Sequence, residues 1–137
     1  MLFSKKILFL SAVFTCFIAI KPAQAPVSKI VKITKNNFLT EIMQSKIPVV
    51  IDIFAEWCQT CKQMKPIFEK LSQEFANVKF ATIDVDQESE LATALEIQSI
   101  PSFIFFYRGK ALTGITGQKS YEELKRLILQ LPNQPRK

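Results

Sequence analysis

Cys58 and Cys61 are the residues of this sequence that most directly indicate chemistry. They stand three positions apart, a spacing that brings two side chains close enough for a disulfide on a first helical turn. The N-terminus of a helix also presents unpaired N–H groups and the positive end of the helix dipole, and both favour a thiolate at Cys58. The pair therefore predicts a redox-active dithiol.

Two other uses of this spacing stay open. A lone C-x-x-C supplies two ligands where a structural zinc site takes four, and the chain has no histidine to complete the set. A purely structural disulfide is the second alternative. Because so short a loop constrains the unfolded chain very little, such a bridge stabilises a fold only weakly. Both considerations favour redox chemistry.

Asp52 and Trp57 flank this chemistry on the N-terminal side. Asp52 is a carboxylate within the apolar run Val49 to Ala55, and burial of such a group raises its pKa. We interpret it as a proton acceptor near the sulfur of Cys61. An aspartate satisfied by a nearby backbone N–H is the alternative. We interpret Trp57 as a residue that shields the site and offers a contact surface, with a place in the core as its alternative.

Length and composition limit the remaining possibilities. The chain has 137 residues, 48% of them apolar, which suits one domain with a true core. The absence of histidine excludes Ser-His-Asp and Cys-His hydrolases as well as imidazole-dependent metal sites. The 18 lysine and arginine residues form no block typical of nucleic-acid binding. We therefore expect no metal, no cofactor and no nucleic-acid partner.

The first 25 residues are typical of a targeting segment. A short basic stretch, MLFSKK, precedes a 14-residue apolar run and the small residues of AQA. The run is shorter than the roughly 20 residues that a membrane-spanning helix needs. Pro26 after the predicted cleavage point disfavours cleavage, so an uncleaved N-terminal anchor is the alternative to a signal peptide. Residues 26–137 then form the exported domain, whereas Cys16 lies in the targeting segment and has no expected role.

The remaining pattern predicts strands and helices in the order β-α-β-α-β-β-α. The run Val49 to Ala55 is apolar on both faces, which is typical of a central buried strand. This order implies an α/β fold, a mixed sheet with helices on both faces. The other expected elements are an edge strand Lys29–Ile33, a helix around 38–43, a helix 59–75, a strand 78–86, a helix 88–97, a hairpin 102–116 and a last helix from 120.

Local signals mark several of these boundaries. Asp86 is predicted to be the N-cap of the helix 88–97, and Ser120 with Glu123 is predicted to form a capping box for the last helix. Pro66 falls inside the helix that contains Cys61, where it removes one backbone hydrogen bond. We therefore expect that helix to be kinked.

Taken together, these residues resemble the thioredoxin family. The resemblance is carried by the stretch AEWCQTCK, by Asp52 six residues before Cys58, and by Ile100-Pro101, whose proline lies 40 residues after Cys61. It extends over about 105 residues, from the first strand to the last helix. The resemblance implies the thioredoxin fold, a central mixed β-sheet of about five strands flanked by about four helices.

The resemblance also implies a role for each cysteine and for the aspartate. Cys58 is expected to be the attacking thiolate, Cys61 the resolving thiol, and Asp52 the buried base that serves Cys61. A second set of residues is expected to bind substrate. Pro101 is implied to follow a cis peptide bond, and the backbone of Ser99 and Ile100 is implied to pair with an extended substrate segment beside Trp57.

The chain departs from the family pattern at two points. Thioredoxins usually have Gly-Pro between the cysteines, where this chain has Gln59-Thr60, so these two residues are expected to tune the redox potential. Many thioredoxins also place a lysine near the buried aspartate, where this chain has Thr82. The second departure affects the pKa of Asp52.

These features favour an exported thiol–disulfide oxidoreductase, periplasmic or otherwise extracytoplasmic, that reduces protein disulfides as a monomer. Its expected partners are disulfide-containing exported proteins and a membrane dithiol carrier that supplies electrons. A disulfide isomerase or oxidase of the same fold is the alternative. A cytochrome-c maturation reductase is disfavoured because those proteins carry an acidic residue where this chain has Ser102. A redox-silent binding subunit would need neither Cys58 nor Cys61.

Overall fold

The computed structural model describes residues 30–132. The predicted targeting segment lies outside the described residues, so its nature stays a prediction. Within residues 30–132, none of the helices is long and apolar enough to cross a membrane.

A five-stranded mixed sheet forms the centre of the described domain, as predicted. The strands are β1 Val31–Lys32, β2 Val49–Phe54, β3 Lys79–Asp84, β4 Ser102–Tyr107 and β5 Lys110–Thr116. They lie in the order β1-β3-β2-β4-β5. β3 runs parallel to both of its neighbours, β4 is antiparallel to β2, and β5 is antiparallel to β4. The predicted central position of the strand before the cysteines is confirmed, because β2 pairs on both of its sides.

Four helical segments flank the sheet in the described residues, also as predicted. They are a short π-helical segment Leu39–Met43, α1 Gln59–Glu74, α2 Ser89–Ala94 and α3 Tyr121–Leu129. The predicted capping box of α3 is confirmed, since the Ser120 hydroxyl accepts from the Glu123 N–H and the Glu123 carboxylate accepts from the Ser120 N–H. Pro66 lies inside α1.

Two apolar clusters fill the two faces of the sheet. Because side chains alternate along a strand, Val50 packs with α1 and α3 on one face, whereas Ile51 and Ile53 pack with α2 on the other. The first cluster contains Phe68, whose ring centroid lies 5.1 Å from that of Phe80. Burial of each such ring stabilises the fold by about 2–3 kcal/mol. Asp52 shares the alternation of Val50, so it lies on the face covered by α1.

The prediction for the helix after β3 is wrong at both ends. Asp86 is not the N-cap, because α2 begins at Ser89 after Glu88 and has no side-chain cap. The chain first makes a turn in which the Glu88 N–H donates to the Asp84 carbonyl at 2.9 Å. At the other end the helix stops at Ala94, since Glu96 takes a positive φ of 57° that no α-helical residue adopts.

Gly109 fixes the turn between β4 and β5 against the π-helical segment. It has a φ of +75°, and a Cβ at this position would lie 2.8 Å from the backbone oxygen of Met43. Both the backbone conformation and the close approach require glycine here. The turn therefore packs closely against the backbone at Met43.

Candidate active site

Cys58 and Cys61 form a disulfide at the N-terminus of α1, as their spacing predicts. Their Cα atoms are 5.2 Å apart. Cys58 is the N-cap residue, with extended backbone, and its sulfur accepts a hydrogen bond from the Cys61 N–H at 3.2 Å. The helix N-terminus therefore directs one of its unpaired donors at the sulfur of Cys58.

Thr60 supplies a second donor to the same sulfur. Its hydroxyl oxygen lies 3.4 Å from the sulfur of Cys58. A disulfide sulfur carries no proton, so the Thr60 hydroxyl is the donor in this state. Donors aimed at a sulfur favour its thiolate form most strongly, because a hydrogen bond to a charged acceptor is stronger than one to a neutral acceptor.

Replacing Thr60 by Val is therefore expected to make the cysteine pair more reducing. The thiolate loses a donor that stabilises the reduced protein, and one modest hydrogen bond corresponds to about 20 mV on a two-electron couple. The midpoint potential measured against a glutathione buffer is expected to fall by that amount. Thr60→Ser keeps the hydroxyl and is the matched control. Equal potentials for Thr60→Val and the unchanged protein would show that the hydroxyl has no such effect.

Asp52 lies in β2 with only 5% of its surface exposed. Burial raises its pKa from 3.8 to about 7, because the apolar surroundings disfavour the charged carboxylate. Among residues 30–132, no hydrogen-bond donor reaches its Oδ1 atom. The alternative of an aspartate satisfied by a backbone N–H therefore finds no support in the described residues, and this carboxyl is poised to exchange a proton near neutral pH.

Asp52 and Cys61 line the same cavity between β2 and α1. The cavity has a volume of about 500 Å³, and Lys62 and Lys65 also contribute to its lining. Thr82 pairs with Asp52 across the two parallel strands and lines the same cavity. A shared cavity is the arrangement that proton transfer between the Asp52 carboxyl and Cys61 would require.

Trp57 is 67% exposed, so it is not part of the core. Its indole Nε1–H donates to the Asp86 carboxylate at 2.9 Å, which holds the ring beside the cysteines. Asp86 is therefore a functional neighbour that the sequence analysis missed. A usable signal exists, because Asp86 follows β3, and the carboxyl ends of parallel β2 and β3 meet at the same edge of the sheet.

A groove beside the disulfide brings most of the predicted substrate-binding residues together. Its volume is about 520 Å³. Cys58 lines this groove, whereas Cys61 lines the cavity of Asp52. The predicted site residues in it are Trp57, Cys58, Gln59, Thr60, Ser99 and Ile100.

Pro101 is placed differently from the other predicted substrate-binding residues. The Ile100–Pro101 peptide bond is cis, as the family resemblance implies. Pro101 itself is buried and does not line the groove, whereas Ser99 is exposed and Ile100 is partly buried. The structure thus presents the two residues before the proline to the groove.

The chemistry that this arrangement permits is thiol–disulfide exchange. An α/β domain that keeps a reducible disulfide at a helix N-terminus, next to an open groove, belongs to the class of thiol–disulfide oxidoreductases. A family model described as Thioredoxin matches residues 29–130. The chain therefore belongs to the thioredoxin family.

Several curated relatives are thioredoxins that this chain matches over most of their length. A thioredoxin of Mycoplasmoides gallisepticum is 38% identical over 96 residues, which cover 70% of this chain and 96% of that protein. A thioredoxin of Mycobacterium tuberculosis is 35% identical over 100 residues, covering 72% of this chain and 86% of the relative. Thioredoxin-3 of Dictyostelium discoideum is 36% identical over 90 residues, covering 66% and 86%.

Proposed function

We propose that this thioredoxin-family protein reduces disulfide bonds in exported proteins. The observation that supports this most directly is the position of the Cys58 sulfur. It receives two hydrogen bonds, from the Cys61 N–H and the Thr60 hydroxyl, and its residue lines a groove with exposed Ser99 and Trp57. A protein substrate can approach this sulfur from the groove, whereas Cys61 faces the cavity of Asp52.

The reaction consists of two exchanges. The Cys58 thiolate attacks one sulfur of the substrate disulfide, forms a mixed disulfide and releases the other substrate sulfur, which takes up a proton. Cys61 then loses its proton and attacks the Cys58 sulfur. This forms the Cys58–Cys61 disulfide and releases the second substrate sulfur as a thiol. The substrate gains two electrons from the protein and two protons, of which one replaces the proton that Cys58 gave to solvent on forming the thiolate and the other replaces the proton of Cys61.

Asp52 is proposed to take the proton of Cys61 in the second exchange. With its pKa raised to about 7 by burial, the carboxyl is ionised in a large fraction of molecules at neutral pH and can act as a base. Its position in the cavity that Cys61 also lines supports this role.

The proposal of export rests on the first 25 residues of the sequence, with their basic start and apolar run. Outside the cytoplasm the oxidised protein must be reduced again to complete a cycle. We propose a membrane dithiol carrier as the electron source and disulfide-containing exported proteins as the substrates.

The midpoint potential of the Cys58–Cys61 pair tests the direction of electron flow. We expect roughly −270 to −200 mV, between thioredoxin and glutaredoxins. The helix N-terminus and the Thr60 hydroxyl are the donors near Cys58, and neither carries a full positive charge. Equilibration of the purified protein against glutathione buffers measures the value. A potential near −120 mV, that of a strong oxidant, would contradict the reductase proposal.

A disulfide isomerase is the second candidate. The Thr60 hydroxyl stabilises the thiolate of Cys58, which raises the potential above that of a pair without this donor. An isomerase needs a cysteine pair whose mixed disulfide with the substrate breaks as readily as it forms. Recovery of activity by a scrambled, fully oxidised ribonuclease would distinguish the two candidates, since a reductase alone reduces it without restoring the native pairing.

Export is expected to leave the protein in the cell envelope. Sequencing of the mature N-terminus after fractionation of membranes, envelope and cytosol measures the outcome. A soluble protein that begins at Pro26 would identify a cleaved signal peptide, and a membrane-bound protein that begins at Met1 would identify an anchor. Full-length protein in the cytosol would contradict both.

A further inference from the structure

Ser102 is a buried hydroxyl that the reaction above does not use. It is 5% exposed and follows directly after Pro101, at the start of β4. Its hydroxyl oxygen lies 2.6 Å from the Ser99 carbonyl oxygen and 3.1 Å from the Thr116 hydroxyl oxygen. It therefore connects the groove-lining residue Ser99 with the end of β5.

The direction of these hydrogen bonds follows from the chemistry of the groups. A carbonyl oxygen only accepts, so the single proton of the Ser102 hydroxyl is donated to Ser99. The Thr116 hydroxyl then donates to the Ser102 oxygen. The result is an ordered relay from Thr116 through Ser102 to the backbone of Ser99, which we call the hydroxyl relay.

A backbone hydrogen bond reinforces the hydroxyl relay. The Gly117 N–H donates to the Pro101 carbonyl at 2.8 Å, and Ser102 pairs with Thr116 in the β4–β5 ladder. The carbonyls before and after Ile100 are thus both fixed to this end of the hairpin. Among residues 30–132, the backbone N–H and C=O of Ile100 have no hydrogen-bond partner of their own.

We propose that the hydroxyl relay of Ser102 and Thr116 is a positioning device that holds the Ile100 backbone ready to pair with an extended peptide segment of a disulfide substrate. This inference rests on the proposed reduction of protein disulfides. Ser102 and Thr116 are positioning residues, because neither lines the groove nor touches a sulfur. A preordered backbone loses less conformational entropy when a substrate binds, so the relay raises the affinity for substrates that have a peptide backbone.

Two variants interrupt the relay. Ser102→Ala removes the donor to Ser99, and Thr116→Val removes the donor to Ser102 with almost no change in shape. Thr116 is exposed on the edge strand, so its replacement leaves the core intact even where the change at buried Ser102 impairs folding. Thr113→Val is the matched control, since it makes the same change on the same exposed strand opposite Phe105. Ser102→Thr keeps the hydroxyl and tests for rescue.

The test compares two disulfides that react with the pre-reduced protein. Insulin presents a peptide backbone around its disulfides, and hydroxyethyl disulfide presents none. For Ser102→Ala and Thr116→Val, the second-order rate constant for insulin is expected to fall about fivefold, the size of one neutral hydrogen bond. The rate constant for hydroxyethyl disulfide is expected to stay within about twofold, since attack by Cys58 itself is unchanged. Thr113→Val and Ser102→Thr are expected to match the unchanged protein.

The outcomes separate this inference from the proposed function. Equal insulin rates for Thr116→Val and Thr113→Val would overturn the relay while leaving the reductase proposal intact. A parallel fall for both disulfides would also overturn it, because it would show a general disturbance of the site. If the unchanged protein reduced hydroxyethyl disulfide but not insulin, the proposed function would fail, and this inference with it.

Discussion

Cys58→Ser is expected to abolish protein-disulfide reduction, leaving only the uncatalysed rate. The first exchange needs a sulfur nucleophile at the groove, and the only other cysteine of the described residues faces the cavity of Asp52. A serine hydroxyl keeps the size of the side chain but does not form a disulfide. Reduction of insulin with dithiothreitol as the electron source measures the effect.

Cys61→Ser is expected to stop the reaction at the mixed disulfide instead. Without the resolving thiol, Cys58 stays bonded to its substrate, so substrates appear as covalent adducts on a non-reducing gel. Cys16→Ser is the matched control. Cys16 lies in the predicted targeting segment, so its replacement is expected to leave both activities unchanged. Full turnover by Cys61→Ser without adducts would show that the two roles are assigned wrongly.

Asp52→Asn is expected to slow resolution and to stabilise the protein above neutral pH. The amide cannot take the proton of Cys61, so the decay of the mixed disulfide near pH 7 is expected to slow by about 10- to 100-fold, the lower range for general base catalysis. Attack by Cys58 on a small disulfide does not need the base and is expected to persist. Stopped-flow measurement of the two steps separates them.

The stability effect has a definite pH dependence. Well below the unfolded pKa of 3.8, Asp52 is protonated in both the folded and the unfolded state and contributes nothing. As the pH rises toward 7 the unfolded carboxyl ionises first, so the free energy of unfolding falls, and above pH 7 the full penalty applies. A pKa raised from 3.8 to about 7 corresponds to a penalty of about 4 kcal/mol.

Urea unfolding of the oxidised protein at pH 4 and pH 8 tests this prediction, since the paired Cys58 and Cys61 have no thiol to titrate in that state. The stability advantage of Asp52→Asn is expected to be larger at pH 8 by up to about 4 kcal/mol. Any constant cost of burying an amide cancels in the comparison of the two pH values. An advantage that does not change with pH would show that the carboxyl is not held in the unfavourable state that burial implies.

Features encoded by residues close together in sequence were predictable. The Ser120 capping box, the pairing of Cys58 with Cys61 and the raised pKa of Asp52 each depend on a short stretch and on the hydrophobicity around it. The fold followed because β2 is apolar on both faces, which is typical of a strand in a sheet that helices cover on both faces. In each case the local pattern and the tertiary structure agree.

Features that depend on strand register were not predictable in the same way. Asp86 shows the pattern of an N-cap, but its carboxylate bonds to Trp57 because parallel strands bring the two residues to one edge of the sheet. Ser102 and Thr116 meet only because the β4–β5 ladder sets them opposite each other. Neither contact has a signature within a few residues, so each becomes visible only once the strands are aligned.

The strand order also determines how late in folding the complete site forms. The cysteines are neighbours in sequence and can pair while most of the chain is still unfolded. The groove needs β4, which pairs with β2 only after the three intervening elements, α1, β3 and α2, have been closed into a long loop. Contacts of such long range form late because loop closure has to precede them. A chain that ends after β3 therefore carries the reactive thiols without the surface that selects their substrates.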